Sequence, residues 1–261
     1  MKWFVPVLAA LLLAACSAPR EDAHTLTIGA TAVPHAEILK FVQPELAKEG
    51  VKLKIKVFAD YVQPNLQVVE KSLDVNYFQT APYLEAFNHE HGTHLVPIVG
   101  VHIEPFGAYS RKIKSIDALP VGATVSVPND PSNEARALLL LAHHGLISLK
   151  DPHNALAGMA DITANPKHLK FKELDAAMLP RTLDEVDLAL INTNYALVAG
   201  LNPVKDALLI ESSDSPYVND LVGRADNQHD PRVEKLAKAL TSPATRAFIE
   251  KKYRGAVLPA F

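Results

Sequence analysis

The stretch VPNDPSNEARALLLL (127–141) places Arg136 in the first turns of a predicted helix, just after a loop rich in Pro and Asn. A helix N-terminus carries partial positive charge, so a cation there suits a site that receives an anion. Asp130 fits an N-cap and Pro131 the first helical position, where a missing N–H is harmless. The N–H groups that follow, the Asn133 amide and the Arg136 guanidinium could then hold a carboxylate, the guanidinium bidentately. The alternative is a surface arginine paired with Asp130 or Glu134. Four leucines, Leu138 to Leu141, make the helix apolar on every side, which sandwiches it in a folded lobe and turns its N-terminus toward an inter-lobe face.

Other side chains could complete such a site. LALINTNYA places Asn192 and Asn194 beyond an apolar strand, and SPYVN places Asn219 in a later extended segment. Open α/β sheets bind ligands at the carboxyl ends of their strands, although an Asn there also serves as a turn or cap residue. Tyr61, Phe78 and Tyr83 stand at predicted strand–helix junctions beside prolines, at a rim, with core packing as the competing role. His89, His91 and His94 lie close together in HEHGTH, as do His143 and His144. Short His spacing can hold Zn²⁺ or Ni²⁺, but without a distant fourth ligand it reads first as a solvated helix end running through Gly92. No G-x-S-x-G elbow, P-loop, G-x-G-x-x-G or HExxH is present, so neither an enzyme nor a cofactor is expected, and no metal site is assigned.

The elements that must carry these residues alternate. Strand, helix and strand follow one another through 26–33, 35–50 and 51–58, with Val51, Leu53, Ile55 and Val57 expected on the buried face against Lys52, Lys54 and Lys56. The order repeats through 63–73, 75–78, 81–90 and 94–103. A second series runs through 123–128, 132–144, 169–174, LPRTLDEV as a helix, and 188–192, and two helices near 230–241 and 243–253 close the chain. This is an α/β pattern in two lobes. Crossings near 106–112 and 217–224 would act as hinge strands and make the first lobe discontinuous: 26–108 with 217–261, and 109–216 as the second lobe.

The start is of a different kind. Lys2, an apolar run from Trp3 to Ala15 and then Cys16 fit a secretory signal, too short to span a bilayer. LAAC (13–16) fits a bacterial lipobox, with residues 1–15 removed, Cys16 acylated, and 16–25 a polar tether. Cys16 is the only cysteine in 261 residues, which excludes an intrachain disulfide. A net charge of −3 offers no basic surface for nucleic acid.

Taken in order, DYVQPN, NYFQTAPYL, VHIEPFGAYSRKIKS, VPNDPSNEARALLLL, LPRTLDEVDLALINTNYA and SPYVN behind a lipobox resemble the methionine-binding lipoproteins of the NlpA type. The resemblance runs from Cys16 to about residue 225 and more loosely beyond. It implies a periplasmic-binding-protein fold (type II-like), closing on methionine and delivering it to an ABC permease and its ATPase. It implies Arg136 on the ligand carboxylate, Asn192 and Asn219 on carboxylate and amine, and Tyr61, Phe78 and Tyr83 around the side chain, with His102 bordering the pocket. Another amino acid, D-methionine or a Met-containing dipeptide are the alternative ligands. Where some relatives carry His, this chain has Thr80, and Ser17 after the acylated cysteine leaves inner or outer membrane open for an anchor facing the periplasm.

Overall fold

The computed structural model describes residues 23–212 and 215–261. The expected signal, Cys16 and most of the tether lie outside the described residues. Alternation is present from the start: β1 (Thr25–Thr31), α1 (Glu37–Lys48), β2 (Lys52–Phe58), α2 (Gln63–Val69), β3 (Val75–Thr80), α3 (Ala81–His91) and β4 (Leu95–Ile103). The next series holds β5 (Gly107–Tyr109), β6 (Thr124–Pro128), α4 (Pro131–His143), the short pair β7 (Ser148–Leu149) and β8 (Ile162–Ala164), β9 (Lys170–Leu174) and β10 (Leu188–Ile191). Then come α5 (Thr193–Val198), α6 (Pro203–Asp206), β11 (Leu209–Ile210), β12 (Val218–Arg224), α7 (Pro231–Leu240), α8 (Pro243–Tyr253) and β13 (Leu258–Pro259).

Two sheets organise these elements into two lobes. One has the order β13-β4-β12-β3-β1-β2 and the other β11-β5-β10-β6-β9. Within the first, β1 runs parallel to β2 and β3 while β12 lies antiparallel between β3 and β4. In the second, β6 is parallel to β9 and β10, and β5 pairs antiparallel with β10 and β11. Each lobe has its own apolar core, around Leu26, Ile28, Leu39 and Leu236 in one and around Val125, Leu138, Leu141 and Leu190 in the other. The C-terminal helices pack on the first.

The chain passes between the sheets at residues 104–106 and returns between 211 and 217. β5 and β12 each stay within one sheet, so the crossings fall ahead of Gly107 and ahead of Val218 rather than along 106–112 and 217–224. Two other expectations change. On β2, Leu53 is buried but Val57 is 52% exposed, because β2 is the outer strand of its sheet and α1 covers only part of it. The helix expected over LPRTLDEV is instead a 3₁₀ segment, Ala176–Thr182, with Pro180 inside it, and Asp175 accepting from the N–H of Ala177 starts it earlier.

Candidate functional site

The start of α4 forms as its residues dictate. Asp130 has extended backbone angles, its carboxylate accepts the Asn133 N–H at 2.9 Å, and Pro131 takes the first turn. Ser126 and Val127 on β6 and Leu138, Leu140 and Leu141 of α4 are buried, and Arg136 is only 5% exposed. Equivalent junctions stand around it. The ends of β1 and β3 and the start of β12 bring His35, Phe78, Thr80 and Asn219; the β10–α5 junction brings Asn192, Thr193 and Asn194. Together they line a small cavity between the lobes.

Arg136, Asn133, Asn192, Asn219, Tyr61, Phe78 and Tyr83 all line this cavity. His102 does not: it is fully buried behind the wall, between the Tyr77 hydroxyl and Glu104. On a strand with alternating faces, His102 and Glu104 point to the same side, and the later residue reaches further past the strand end. His35 and Glu104 take the place expected of His102.

The guanidinium is not paired as expected. Its Nε donates to Glu211 Oε1 at 3.0 Å and its Nη2 to Glu211 Oε2 at 2.5 Å, while Nη2 also reaches the Glu104 carbonyl at 2.9 Å. The Tyr217 ring lies 4.2 Å from the guanidinium carbon. Asp130 and Glu134 are engaged elsewhere, Glu134 by the Met159 N–H. A buried cation requires a counter-charge, and the Glu211 carboxylate on the return crossing pairs with it directly. The bidentate edge is therefore occupied, and Nη1 donates to no described residue. The Asn133 amide is committed too, with Nδ2 3.0 Å from both Asp130 oxygens.

Also on the cavity wall, the aromatic rings of Tyr61, Phe78 and Tyr83 lie 5.6–5.9 Å apart, in tilted and edge-to-face arrangements. Tyr61 also ties the lobes together, its hydroxyl donating to Asn194 Oδ1 at 2.6 Å, and the Tyr195 hydroxyl donates back to the Ala59 carbonyl at 3.0 Å.

Behind the cavity wall lies a buried network. Burial lowers the pKa of His35 to about 4, with neighbouring His102 adding to the effect and Glu104 and Asn219 opposing it. Burial lowers that of His102 to about 3. Both imidazoles are neutral at pH 7. Burial pushes the Glu104 carboxyl up, against His35, Arg136 and the Asn194 N–H, which favour its ionised form. Among the described residues, His35, His102 and Glu104 are the one group of His, Cys, Asp and Glu donors close enough to share an ion. Their contacts are at hydrogen-bond length, His102 Nε2 to Glu104 Oε1 at 2.8 Å and His35 Nε2 to the same oxygen at 3.3 Å. His89, His91 and His94 form no such group; the His91 ring stacks on Phe87 and its Nδ1 sits 3.1 Å from the Phe87 carbonyl.

The family model for NlpA lipoprotein matches residues 26–261. The chain belongs to the NlpA lipoprotein family. It is 43% identical to outer membrane lipoprotein 2 of Mannheimia haemolytica, covering 97% of this chain and 96% of that one. It is 40% identical to the D-methionine-binding lipoprotein MetQ of Salmonella typhi, over 95% and 93% of the two chains. Among solved structures, the nutrient-binding protein of Burkholderia cenocepacia bound to methionine is 46% identical, with a TM-score of 0.87 over 90% of this chain and all of that one. The two-lobe fold of this NlpA lipoprotein is that of these binding proteins. No helix among the described residues is long and apolar enough to cross a membrane.

Sequence reasoning missed His35, Gln79, Glu104 and Thr193 on the cavity wall of this NlpA lipoprotein. Glu104 had a readable signal, a carboxylate directly beyond the apolar strand of VHIEP. His35 and Thr193 had none, since each sits in an ordinary helix-start segment.

Proposed function

We propose that this protein is a lipid-anchored receptor that captures methionine between its lobes and presents it to an ABC permease with its ATPase, without catalysing a reaction. The observation that carries this is the make-up of the cavity wall, which combines a buried cation, amides and three aromatic rings. A zwitterion needs fixed groups for both charges, and a thioether gains from aromatic faces and edges. Arg136 offers Nη1 to the ligand carboxylate, Asn192 and Asn219 bond the carboxylate and amine, and Tyr61, Phe78 and Tyr83 receive the side chain. The methionine-bound Burkholderia relative supports the choice of ligand. The lipoprotein names of the relatives support acylation of Cys16 and an anchor facing the periplasm.

Protein stripped of ligand by unfolding and refolding should give saturable heat with L-methionine in a calorimetric titration, and a parallel titration with D-methionine sets the stereochemical preference. Absence of heat with both isomers ends the methionine reading. Arg136→Ala should weaken binding by about 2–5 kcal/mol, the range for removing one partner of a buried charged contact. Unchanged affinity would remove Arg136 from the site.

A further inference from the structure

The Arg136 guanidinium is gripped by both crossings between the lobes. Glu104 follows directly on β4 in the first crossing, and Glu211 follows directly on β11 in the return. Nε and Nη2 donate to the two Glu211 oxygens at 3.0 and 2.5 Å, and Nη2 also donates to the Glu104 carbonyl at 2.9 Å. The crossings are tied to each other at the same point. Glu211 Oε2 accepts the Phe106 N–H at 3.2 Å, and the Glu211 N–H donates to the Phe106 carbonyl at 2.9 Å. The Tyr217 ring of the return crossing lies 4.2 Å from the guanidinium carbon, and the Phe106 ring of the first lies 5.4 Å from it. One side chain of the second lobe thus engages both segments about which the lobes turn.

Arg136 lines the cavity and Glu211 does not. The Glu211 side chain is 16% exposed and that of Arg136 5%, so the pair lies largely out of water, where removing one partner leaves the other charge uncompensated. A long side chain that is free must be ordered when a ligand binds, and that cost is subtracted from affinity. Arg136 is ordered beforehand, because two charged hydrogen bonds fix the plane of its guanidinium. With Nε and Nη2 committed to the crossings, Nη1 is the nitrogen left for a ligand.

We propose that Glu211 is the positioning residue of Arg136: without touching the ligand, it fixes the guanidinium against both crossings and leaves Nη1 to meet the ligand carboxylate. This rests on the methionine reading above and adds to it a residue outside the cavity wall on which affinity depends.

Glu211→Gln keeps the shape of the side chain and removes its charge. Calorimetry with L-methionine on the parent, Glu211→Gln, Arg136→Ala and the double variant separates action through Arg136 from general loosening. Glu211→Gln should weaken binding by about tenfold or more, the scale of a lost charged hydrogen bond. Where Arg136 is already Ala, the same change should cost less than about twofold. An equal loss in both backgrounds, unchanged affinity or tighter binding overturns the proposal, since tighter binding would make Glu211 a competitor for the guanidinium. The ligand-free protein gives an independent readout in ¹⁵N spectra. The Arg136 Nε–H resonance, assigned by its absence from Arg136→Ala, should exchange slowly in the parent and rapidly in Glu211→Gln. If Glu211→Gln does not fold, Glu211→Asp, whose carboxylate is one methylene short of both contacts, takes its place in the same cycle. A parent that gives no heat with methionine would be a failure of the ligand reading. The Nε–H resonance then decides for Glu211 by itself, and slow exchange that persists in the variant overturns the proposal.

Discussion

The histidines fall into two sets that invert what their sequence positions suggest. His89, His91 and His94 are neighbours in the chain, yet the fold spreads them along the end of α3 and the turn after Gly92, where His91 is engaged by its own helix. His35 and His102 come from separate junctions of the first lobe, yet their rings lie 4.9 Å apart and converge on one carboxylate. Proximity along a helix end gives exposure and independence. Convergence of strand ends gives burial, a fixed tautomer and dependence on partners. Only the second set can influence a ligand, because only there does a change of proton or partner reach the cavity wall.

The largest expected consequence is for stability. His102→Leu strips the Tyr77 hydroxyl and Glu104 of a buried partner and should destabilise the fold by about 3 kcal/mol in urea denaturation. Replacing His89, His91 and His94 together by Ala should stay within about 1 kcal/mol of the parent, as surface changes do. Equal losses in the two variants would erase the distinction.

Next in size is a pH effect. The pKa of His102 is depressed in the fold to about 3, so its contribution is fully present above its unfolded value near 6.5 and is lost as pH falls toward 3. The gap in stability between the parent and His102→Leu should therefore narrow by about 2 kcal/mol between pH 7 and pH 5. Urea midpoints at the two pH values measure it. A gap that widens on acidification would mean that the buried imidazole is charged.

The smallest effect concerns metal. Zinc added after chelator treatment should leave the unfolding midpoint unchanged in the parent and in the triple His variant, since the buried nitrogens already hold hydrogen bonds and the surface ones do not converge. An ion bound at about a hundred times its Kd would add roughly 2.7 kcal/mol. A gain of that order in the parent that disappears in the triple variant would make the surface set a metal site after all.

Local rules made most of the elements legible. Asp130 and Pro131 start α4 where capping chemistry puts them, Asp230 and Ser242 cap α7 and α8 in the same way, and the two alternating series become two sheets. Where the reading failed, a long-range contact decided the outcome. Val57 satisfies the period of a half-buried strand but lies on an outer strand with too little above it. Arg136 was recognisable as a charge needing an anion, but Glu211, 75 residues away, takes its bidentate edge.

The site shows the same division. Residue types and positions pointed to Arg136, Asn192 and Asn219, the family resemblance added Tyr61, Phe78 and Tyr83 as a side-chain pocket, and all six line the cavity. The sequence by itself determined most of the longer strands and helices of the lobes, the helix that carries Arg136 and the chemical types available at the rim. Tertiary structure alone decided that Glu104 and His35 reach the wall while His102 stays behind it, and which atom of each asparagine faces the cavity. The physical reason is that amide orientation and imidazole tautomer are set by hydrogen-bond partners, and those partners come from segments up to 184 residues apart.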